Sequence, residues 1–470
     1  MIKITCSKDL YTYNAYHLAK AFFPDETANV YTDASLDASV IFDINKNVIR
    51  IREAETKAQV DKSIYLALRK ITGKDLPWGL LTGVRPTKPA MAKVREKMGR
   101  EEFIRWYGEK SLVSAKKAGL AWDIAKREND ILSACTPPGG WTDSFSLYIG
   151  IPFCPGICSY CSFSLGTISR YMDRADEYTD ALCREIEGCA GLCACVPPTC
   201  IYIGGGTPTC LTAGQLEKIM CALNENFDLS SLAEFSVEAG RPDTITKEKL
   251  EILKALGADR ISVNPQTMQQ RTLDAVGRSH SVAQVYEAFE TARACGFDDI
   301  NMDLIAGLPA ETVSDMEDTL DRVLALKPEN LTVHALSIKR RAQFEKQYAS
   351  ERSAEEMIEL AYAKAAQCGM EPYYLYRQKS IAGNFENMGY SKPGRECLYN
   401  ILTMEEVQTV YGLGAGAQTK MVFDKYVPNP QRALRPAKIL RSSNIKDVDG
   451  YINNIDEMLE RKRALKQEGA

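Results

Sequence analysis

The chain has 470 residues, and its 58 lysines and arginines against 62 aspartates and glutamates leave a net charge of −4, without the basic footprint that nucleic acid selects. That length exceeds one ordinary core and predicts two or three domains, while no apolar stretch approaches the roughly 20 residues of a membrane span. The first residues, MIKITCSKDLY, lack the apolar core of a signal peptide, so a cytoplasmic protein is expected, and its fifteen cysteines then point to metal ligation and reduced thiols rather than a disulfide framework.

Residues 1 to about 55 alternate like short strands around one helix near Tyr13 to Phe22. From 56 to 135 the apolar spacing becomes helical, over Lys57 to Ile71, Pro89 to Met98, Glu101 to Tyr107 and a long charged run through Leu132. Residues 1–135 are expected to form a small α+β domain with its own core. Within them, WGLLTGVRPTK places Gly83, Arg85, Pro86, Thr87 and Lys88 after an apolar run, which reads either as an anion-binding or docking loop or, more commonly, as a turn with solvated cations. TPPGG marks a linker over 136–144.

Over 145–344, strand, loop and helix recur six times. The strands SLYIGIPF, TCIYIGGG, AEFSVEAG, DRISVNPQ, DINMDLIAG and LTVHALSI are near-continuously apolar, as buried parallel strands are. Tyr171, Tyr178, Leu182 and Ile186 fall on one face of the first helix. Six such units predict an α/β fold, an incomplete TIM-like (βα)6 barrel whose open side admits a large flat substrate and whose chemistry gathers at the carboxyl ends of the strands. Residues 345–470 form a further domain, expected to be mostly helical, with a basic run at Arg432, Arg435, Lys438 and Arg441 that is either solvated or a lid for anions.

The first strand empties into a loop holding Cys154, Cys158 and Cys161 in the spacing C-x3-C-x2-C. Three soft thiolates on a short loop with Pro155 and Gly156 can wrap one face of an iron-sulfur cluster. Ser162, Phe163 and Ser164 follow, so no fourth cysteine is near and one iron of a [4Fe-4S] cluster is left open for chemistry. A zinc site with an unseen fourth ligand, or three incidental thiols, are the rival readings. Glu238, Gln266 and Asp303 end apolar strands, where polar side chains either satisfy one another or meet ligands. Arg278 can offer a planar fork to a carboxylate or stand as a surface arginine. His17, His280 and His334, each isolated, read as structural residues, and Cys183, Cys189, Cys193, Cys195 and Cys200 as reduced thiols in no defensible cluster spacing.

With Tyr160 before the last cysteine, the loop resembles the radical S-adenosylmethionine (radical SAM) signature, and YIGIPFC with CSYCSF resembles the oxygen-independent coproporphyrinogen III oxidases (coproporphyrinogen dehydrogenases). The chain as a whole is most similar to the HemZ branch, from the cysteine loop to about residue 420. The resemblance implies a [4Fe-4S] cluster on Cys154, Cys158 and Cys161, and one or two molecules of S-adenosylmethionine. It implies cofactor contacts from Tyr148, Tyr160, Gly205, Gly206, Thr207, Glu238, Gln266, Arg278 and Asp303, with Ala335 and Gln418 at outlying positions. It further implies a tetrapyrrole substrate, an unidentified electron donor, and oxidative decarboxylation of two propionates of coproporphyrinogen III to give protoporphyrinogen IX. Two departures bear on this. Phe163 stands where vinyl-forming members carry another cysteine, and Tyr399 to Met404 lacks the His-Asn and Tyr-Trp motif of the haem-delivering sister group. A haem-binding carrier on the same fold, or a radical enzyme with another substrate, are the alternatives.

Overall fold

The structure, a computed structural model, describes residues 1–24, 26–45, 47–52, 56–81, 83–161, 165–193, 196–336, 351–377, 385–429 and 435–468. Ser162, Phe163, Ser164, Cys195, Arg432 and the expected boundary at 344/345 lie outside the described residues.

At the amino terminus, β1 (Ile2–Cys6), β2 (Ala28–Thr32), β3 (Val40–Ile44) and β4 (Asn47–Ile51) form a four-stranded sheet in the order β2-β1-β3-β4. Alternation puts Ile2, Ile4 and Cys6 of β1 inward, against α1 (Asp9–Phe22) and α2 (Lys57–Thr72). A capping box of Thr56 and Gln59 starts α2, and Gly73 ends it in the left-handed conformation. This core reaches Leu76.

The next helices, α3 (Lys88–Arg95), α4 (Arg100–Ser111) and α5 (Ala115–Ala134), bury their apolar faces elsewhere. Trp78, Phe103, Tyr107 and Trp122 join one continuous core with the barrel strands. Glu386 accepts from Trp78 Nε1 at 2.8 Å and pairs with Lys117 of α5, and Arg127 grips Glu396 through Nε at 2.9 Å and Nη2 at 2.6 Å. Residues 78–134 are therefore knitted to the carboxyl-terminal part of the chain, whereas the amino-terminal sheet keeps a separate core.

The barrel begins with β5 (Phe145–Ile151), followed by a two-residue parallel pair, β6 (Phe153–Cys154) and β7 (Gly166–Thr167). Five more strands run parallel to β5: β8 (Cys200–Gly205), β9 (Glu234–Gly240), β10 (Arg260–Val263), β11 (Asp299–Ala306) and β12 (Asn330–Ala335). The outer helices are α6 (Ala175–Ala190), α7 (Ala213–Asn226), α8 (Lys247–Ala255), α9 (Gln270–Ala275) with α10 (Val282–Ala294), α11 (Val313–Ala325) and α12 (Glu351–Gln367). These are the six βα units expected. Tyr178, Leu182 and Ile186 are buried on α6, but Tyr171 stands in a preceding 3-10 stretch, where its ring lies 5.4 Å from that of Phe153.

The carboxyl-terminal stretch, expected to be mostly helical, adds α13 (Leu398–Glu405), α14 (Val448–Asn453) and α15 (Ile455–Gln467), and also β13 (Glu371–Tyr376), β14 (Asn387–Ser391), β15 (Thr409–Leu413), β16 (Gln418–Val427) and β17 (Ala437–Ser443). These strands extend the barrel sheet at both edges. β14 pairs antiparallel with β12, β15 pairs parallel with β5, and the order β13-β14-β12-β11-β10-β9-β8-β5-β15-β16-β17 does not close. No helix among the described residues is long and apolar enough to cross a membrane.

A buried carboxylate locks the β15 edge. Glu185 of α6 accepts from Lys462 Nζ at 2.7 Å, Asn444 Nδ2 at 2.8 Å, Tyr451 Oη at 2.5 Å and the Gly414 amide at 2.8 Å, so one side chain gathers α15, α14 and the turn after β15. Removing one partner of a buried ion pair leaves the other uncompensated. Lys462→Met is expected to cost about 3–5 kcal/mol in chemical denaturation, against little change for the exposed Lys446→Met.

Candidate active site

β5 runs into the cysteine loop, which is held from three sides. The Ser159 amide and hydroxyl both donate to Val276 O, at 3.1 and 3.2 Å; Leu165 N donates to Pro152 O at 2.9 Å; and Cys161 N closes a turn onto Cys158 O at 3.0 Å. Beneath the loop pass Gly204 to Thr207, with Gly206 N donating to Ile151 O and Thr207 N to Phe153 O, both at 2.7 Å. A Cβ on Gly206 would stand 2.3 Å from Phe153 O and 3.0 Å from Cys154 Sγ, and Gly205 combines a φ of +117° with a Cβ position 2.7 Å from Ile151 O. The glycines are therefore demanded by the chain's own close approach, before any ligand is considered.

Cys154, Cys158 and Cys161 line one cavity of ≈ 480 Å³ at the carboxyl ends of the barrel strands. Tyr148, Tyr160, Gly205, Gly206, Thr207, Glu238, Gln266, Arg278, Asp303 and Ala335 line it as well. Gln418, the remaining expected contact, does not; it is exposed, donates to Ser443 Oγ at 3.2 Å, and borders an adjoining chamber. Arg278 is no surface residue. It is buried, with Nη2 on Asn264 O at 2.6 Å and Nη1 at 3.2 Å from Tyr160 Oη and 3.9 Å from Cys158 Sγ, so it braces the cysteine loop from inside.

The strand-end carboxylates differ in setting. Glu238 accepts from Tyr202 Oη at 2.5 Å and Gly205 N at 3.2 Å, yet burial, reinforced by the charge of Asp303, raises its pKa to about 7. For Asp303, burial pushes upward too, but the hydrogen bond and charge of His334, with hydrogen bonds from Asn301 and Thr332, outweigh it and hold the carboxyl below its ordinary value. Asn301 Nδ2 lies 2.7 Å from Asp303, and His334 continues to Tyr376 Oη at 3.4 Å, so this histidine belongs to the cavity wall. His280 is fully buried behind Arg278, and burial, then that guanidinium, lowers its pKa to about 3. His17 lies on α1, against Tyr13 and Tyr16.

Several cavity residues were not singled out from the sequence. Tyr202 stacks between Tyr148 and Tyr399, with ring centroids 6.4 and 4.6 Å away, and its one signal was an aromatic two positions before the glycine run in an apolar strand. Ser262 and Asn264 flank the end of β10, and Arg241, paired with Asp243, donates to Gly156 O of the cysteine loop at 3.3 Å. Of the second cysteine group, Cys189 and Cys193 pack in the barrel core and Cys200 beside Tyr373 and Cys397.

A family model described as the Radical SAM superfamily matches residues 148–323. The chain is 39% identical over 422 residues, 87% of its own length and 82% of the relative's, to the oxygen-independent coproporphyrinogen-III oxidase-like protein HemZ of Bacillus subtilis (strain 168). The chain belongs to the HemZ-type branch of the radical SAM coproporphyrinogen III oxidase family. The heme chaperone HemW of the same organism is 35% identical over 280 residues, 58% of this chain and 70% of that one. Among solved structures, the radical SAM enzyme coproporphyrinogen III oxidase (HemN) of Escherichia coli aligns with a TM-score of 0.55 at 26% identity, over 67% of this chain and 70% of that one.

This family implies a [4Fe-4S] cluster and S-adenosylmethionine, and the HemZ-type cavity fits them. Among the described residues, five buried polar atoms on its lining lack a partner: Ser262 Oγ, Asn264 Oδ1, Gln266 Oε1, Arg278 Nε and Thr403 Oγ1. Buried polar groups are otherwise nearly always paired, so such a group around one cavity points to a polar ligand. The donor set is three thiols, the soft ligands iron clusters take. Among the described residues no three His, Cys, Asp or Glu converge as ligands of a single ion would, whereas the thiols of a cluster bind separate irons.

Glu238 also makes stability depend on pH. Its folded pKa of about 7 exceeds the ordinary 4.5, so the folded state holds the proton longer, and the contribution present below about 4.5 is lost as pH rises through about 7. Denaturation of wild type and Glu238→Gln between pH 5 and 8 is expected to show wild type losing up to ~1.4 kcal/mol per pH unit relative to the variant.

Proposed function

We propose that this chain is an oxidoreductase that decarboxylates two propionate side chains of coproporphyrinogen III to vinyls, giving protoporphyrinogen IX, in the reducing cytoplasm. The observation that carries this reading is the single ≈ 480 Å³ cavity in which the three loop thiols meet the strand-end polar groups. Cluster and S-adenosylmethionine, when bound, supply homolytic hydrogen removal from an unactivated carbon.

The chain's own residues do the rest. Cys154, Cys158 and Cys161 would hold the cluster, with Arg241 and Arg278 fixing the loop that carries them. Gln266, Asn264 and Ser262 carry unpaired polar atoms for the cofactor's amino acid and ribose groups. Near neutral pH Glu238 can accept or donate a hydrogen bond, while Asp303, held ionised by its partners, only accepts. Tyr148 and Tyr202, the latter backed by Tyr399, give the cavity wall an aromatic patch suited to a flat macrocycle. Removing one β-hydrogen, carbon dioxide and an electron per propionate leaves a vinyl group, and the electron passes to an acceptor of unassigned identity.

The likeness to a heme chaperone supports a second reading, a haem carrier on the same fold. Anaerobic assay separates the two. The enzyme reading expects 5′-deoxyadenosine formation to rise on adding coproporphyrinogen III, with a vinyl product. Tight stoichiometric haem binding without that product would instead support the carrier.

A further inference from the structure

Beside the main cavity, and sharing Tyr148, Tyr376, Thr403 and Met404 with it, lies a chamber of ≈ 350 Å³. Three cations from separate segments reach its wall: Arg85 from the loop before α3, Lys420 on β16 and Arg441 on β17. One carboxylate stands among them. Glu406 lies 2.5 Å from Arg85 Nη2, 2.6 Å from Arg441 Nη2 and 3.6 Å from Lys420 Nζ, so the lining itself carries three cations against one anion; Arg441 is half-exposed, and Glu405 and Glu128, outside the lining, also feel the charge of Arg85.

Arg85 is not the solvated loop cation that its sequence context suggested. Its loop is pinned by Arg377, which donates to Val84 O at 2.7 Å and Leu81 O at 2.8 Å, and by Tyr107 Oη on Pro86 O at 2.8 Å. Arg85 also donates to Met404 O, and the side chains of Arg85 and Lys420 are only 17% and 12% exposed. Holding surplus positive charge away from water is costly unless an anion compensates it. Lys420 registers that cost: burial first, then the charges of Arg441 and Arg85, bring its pKa down to about 8 against the opposing pull of Glu406. Much of the remaining wall, with Val84, Met404 and Val410 and the tyrosine rings, is apolar and suits the methylenes of a carboxyalkyl arm, with Thr403 and Gln418 as its other polar side chains.

We infer that this chamber binds a carboxylate arm of the substrate, with Arg85, Lys420 and Arg441 as its cationic wall. The inference rests on the tetrapyrrole reading above and gives the residues before the barrel a part in substrate binding. Of the basic run, read as either solvated or a lid for anions, Arg435 and Lys438 are exposed and outside the chamber lining, so among its described residues Arg441 alone contributes.

The test uses the full-length, cluster-reconstituted protein as wild type, Arg85→Gln and Lys420→Gln, titrated with coproporphyrin III, its uncharged tetramethyl ester, and S-adenosylmethionine. Thermal midpoints confirm that each variant is folded; Arg85→Lys, which keeps the charge, is the conservative control, and Lys420→Gln carries the test if Arg85→Gln is not folded. Each lost cation is expected to weaken coproporphyrin III about tenfold, with ester and S-adenosylmethionine affinities unchanged and Arg85→Lys close to wild type. Equal coproporphyrin III affinity in all the proteins would overturn the chamber assignment while leaving the tetrapyrrole reading intact. A loss of S-adenosylmethionine affinity instead would reassign the cations to that carboxylate. Failure of wild type itself to bind coproporphyrin III would remove the tetrapyrrole reading, and this inference with it.

Discussion

Two backbone segments that cannot be pulled apart set the geometry of this molecule: the loop of three cysteines and the glycine run at the end of β8. Gly206 lies so close under Phe153 and Cys154 that a single methyl group would collide, and Thr207 reaches up to 3.4 Å from the Cys154 sulfur. The loop is thereby referenced to the second barrel strand, and through Val276 and Arg278 to the segment after the fourth. A loop anchored to rigid elements in this way can present thiols at fixed positions, which a flexible surface loop could not do. The rest of the barrel presents its strand-end side chains to the space those thiols define.

Charge is divided sharply around that space. In the main cavity the unpaired groups are mostly neutral oxygens, and its two carboxylates are shifted in opposite directions, Glu238 upward by burial and Asp303 downward by its partners. In the adjoining chamber the surplus is cationic. On the proposed reading, a zwitterionic cofactor and a polycarboxylate substrate have complementary needs, which two neighbouring compartments of different polarity would meet. The carboxyl-terminal strands make this possible, because β15 to β17 extend the barrel at the β5 edge and carry Lys420 and Arg441 to its mouth.

Local pattern in the sequence was enough to locate the six barrel strands, the cysteine loop and the polar strand ends Glu238, Gln266 and Asp303, while Tyr148, Tyr160, Gly205, Gly206, Thr207 and Ala335 were implied by the family resemblance. Buried parallel strands leave continuous apolar runs, and polar residues at their ends have few structural excuses. The misses share a physical cause. The pairing of β15 with β5 joins segments distant in sequence, and an apolar run such as TVYGL does not say which strand it lies beside. Arg85 reads most simply as a solvated loop cation because nothing local to it reveals its partner Glu406. For Arg278 the sequence leaves open a surface arginine or a ligand contact, and the chain folds it inward to the cysteine loop. Tyr171 matched a helical period that begins only at Ala175.

The central claim is that three thiols hold a cluster with one open iron facing the cavity. Its most direct measurement is the iron and sulfide content of anaerobically reconstituted protein, together with the electron paramagnetic resonance spectrum of the reduced sample before and after S-adenosylmethionine is added. The account predicts a [4Fe-4S] complement that Cys158→Ala loses, and a spectrum that changes on adding the cofactor. A full complement retained by Cys158→Ala, or a wild-type cluster whose spectrum is indifferent to S-adenosylmethionine, would contradict it.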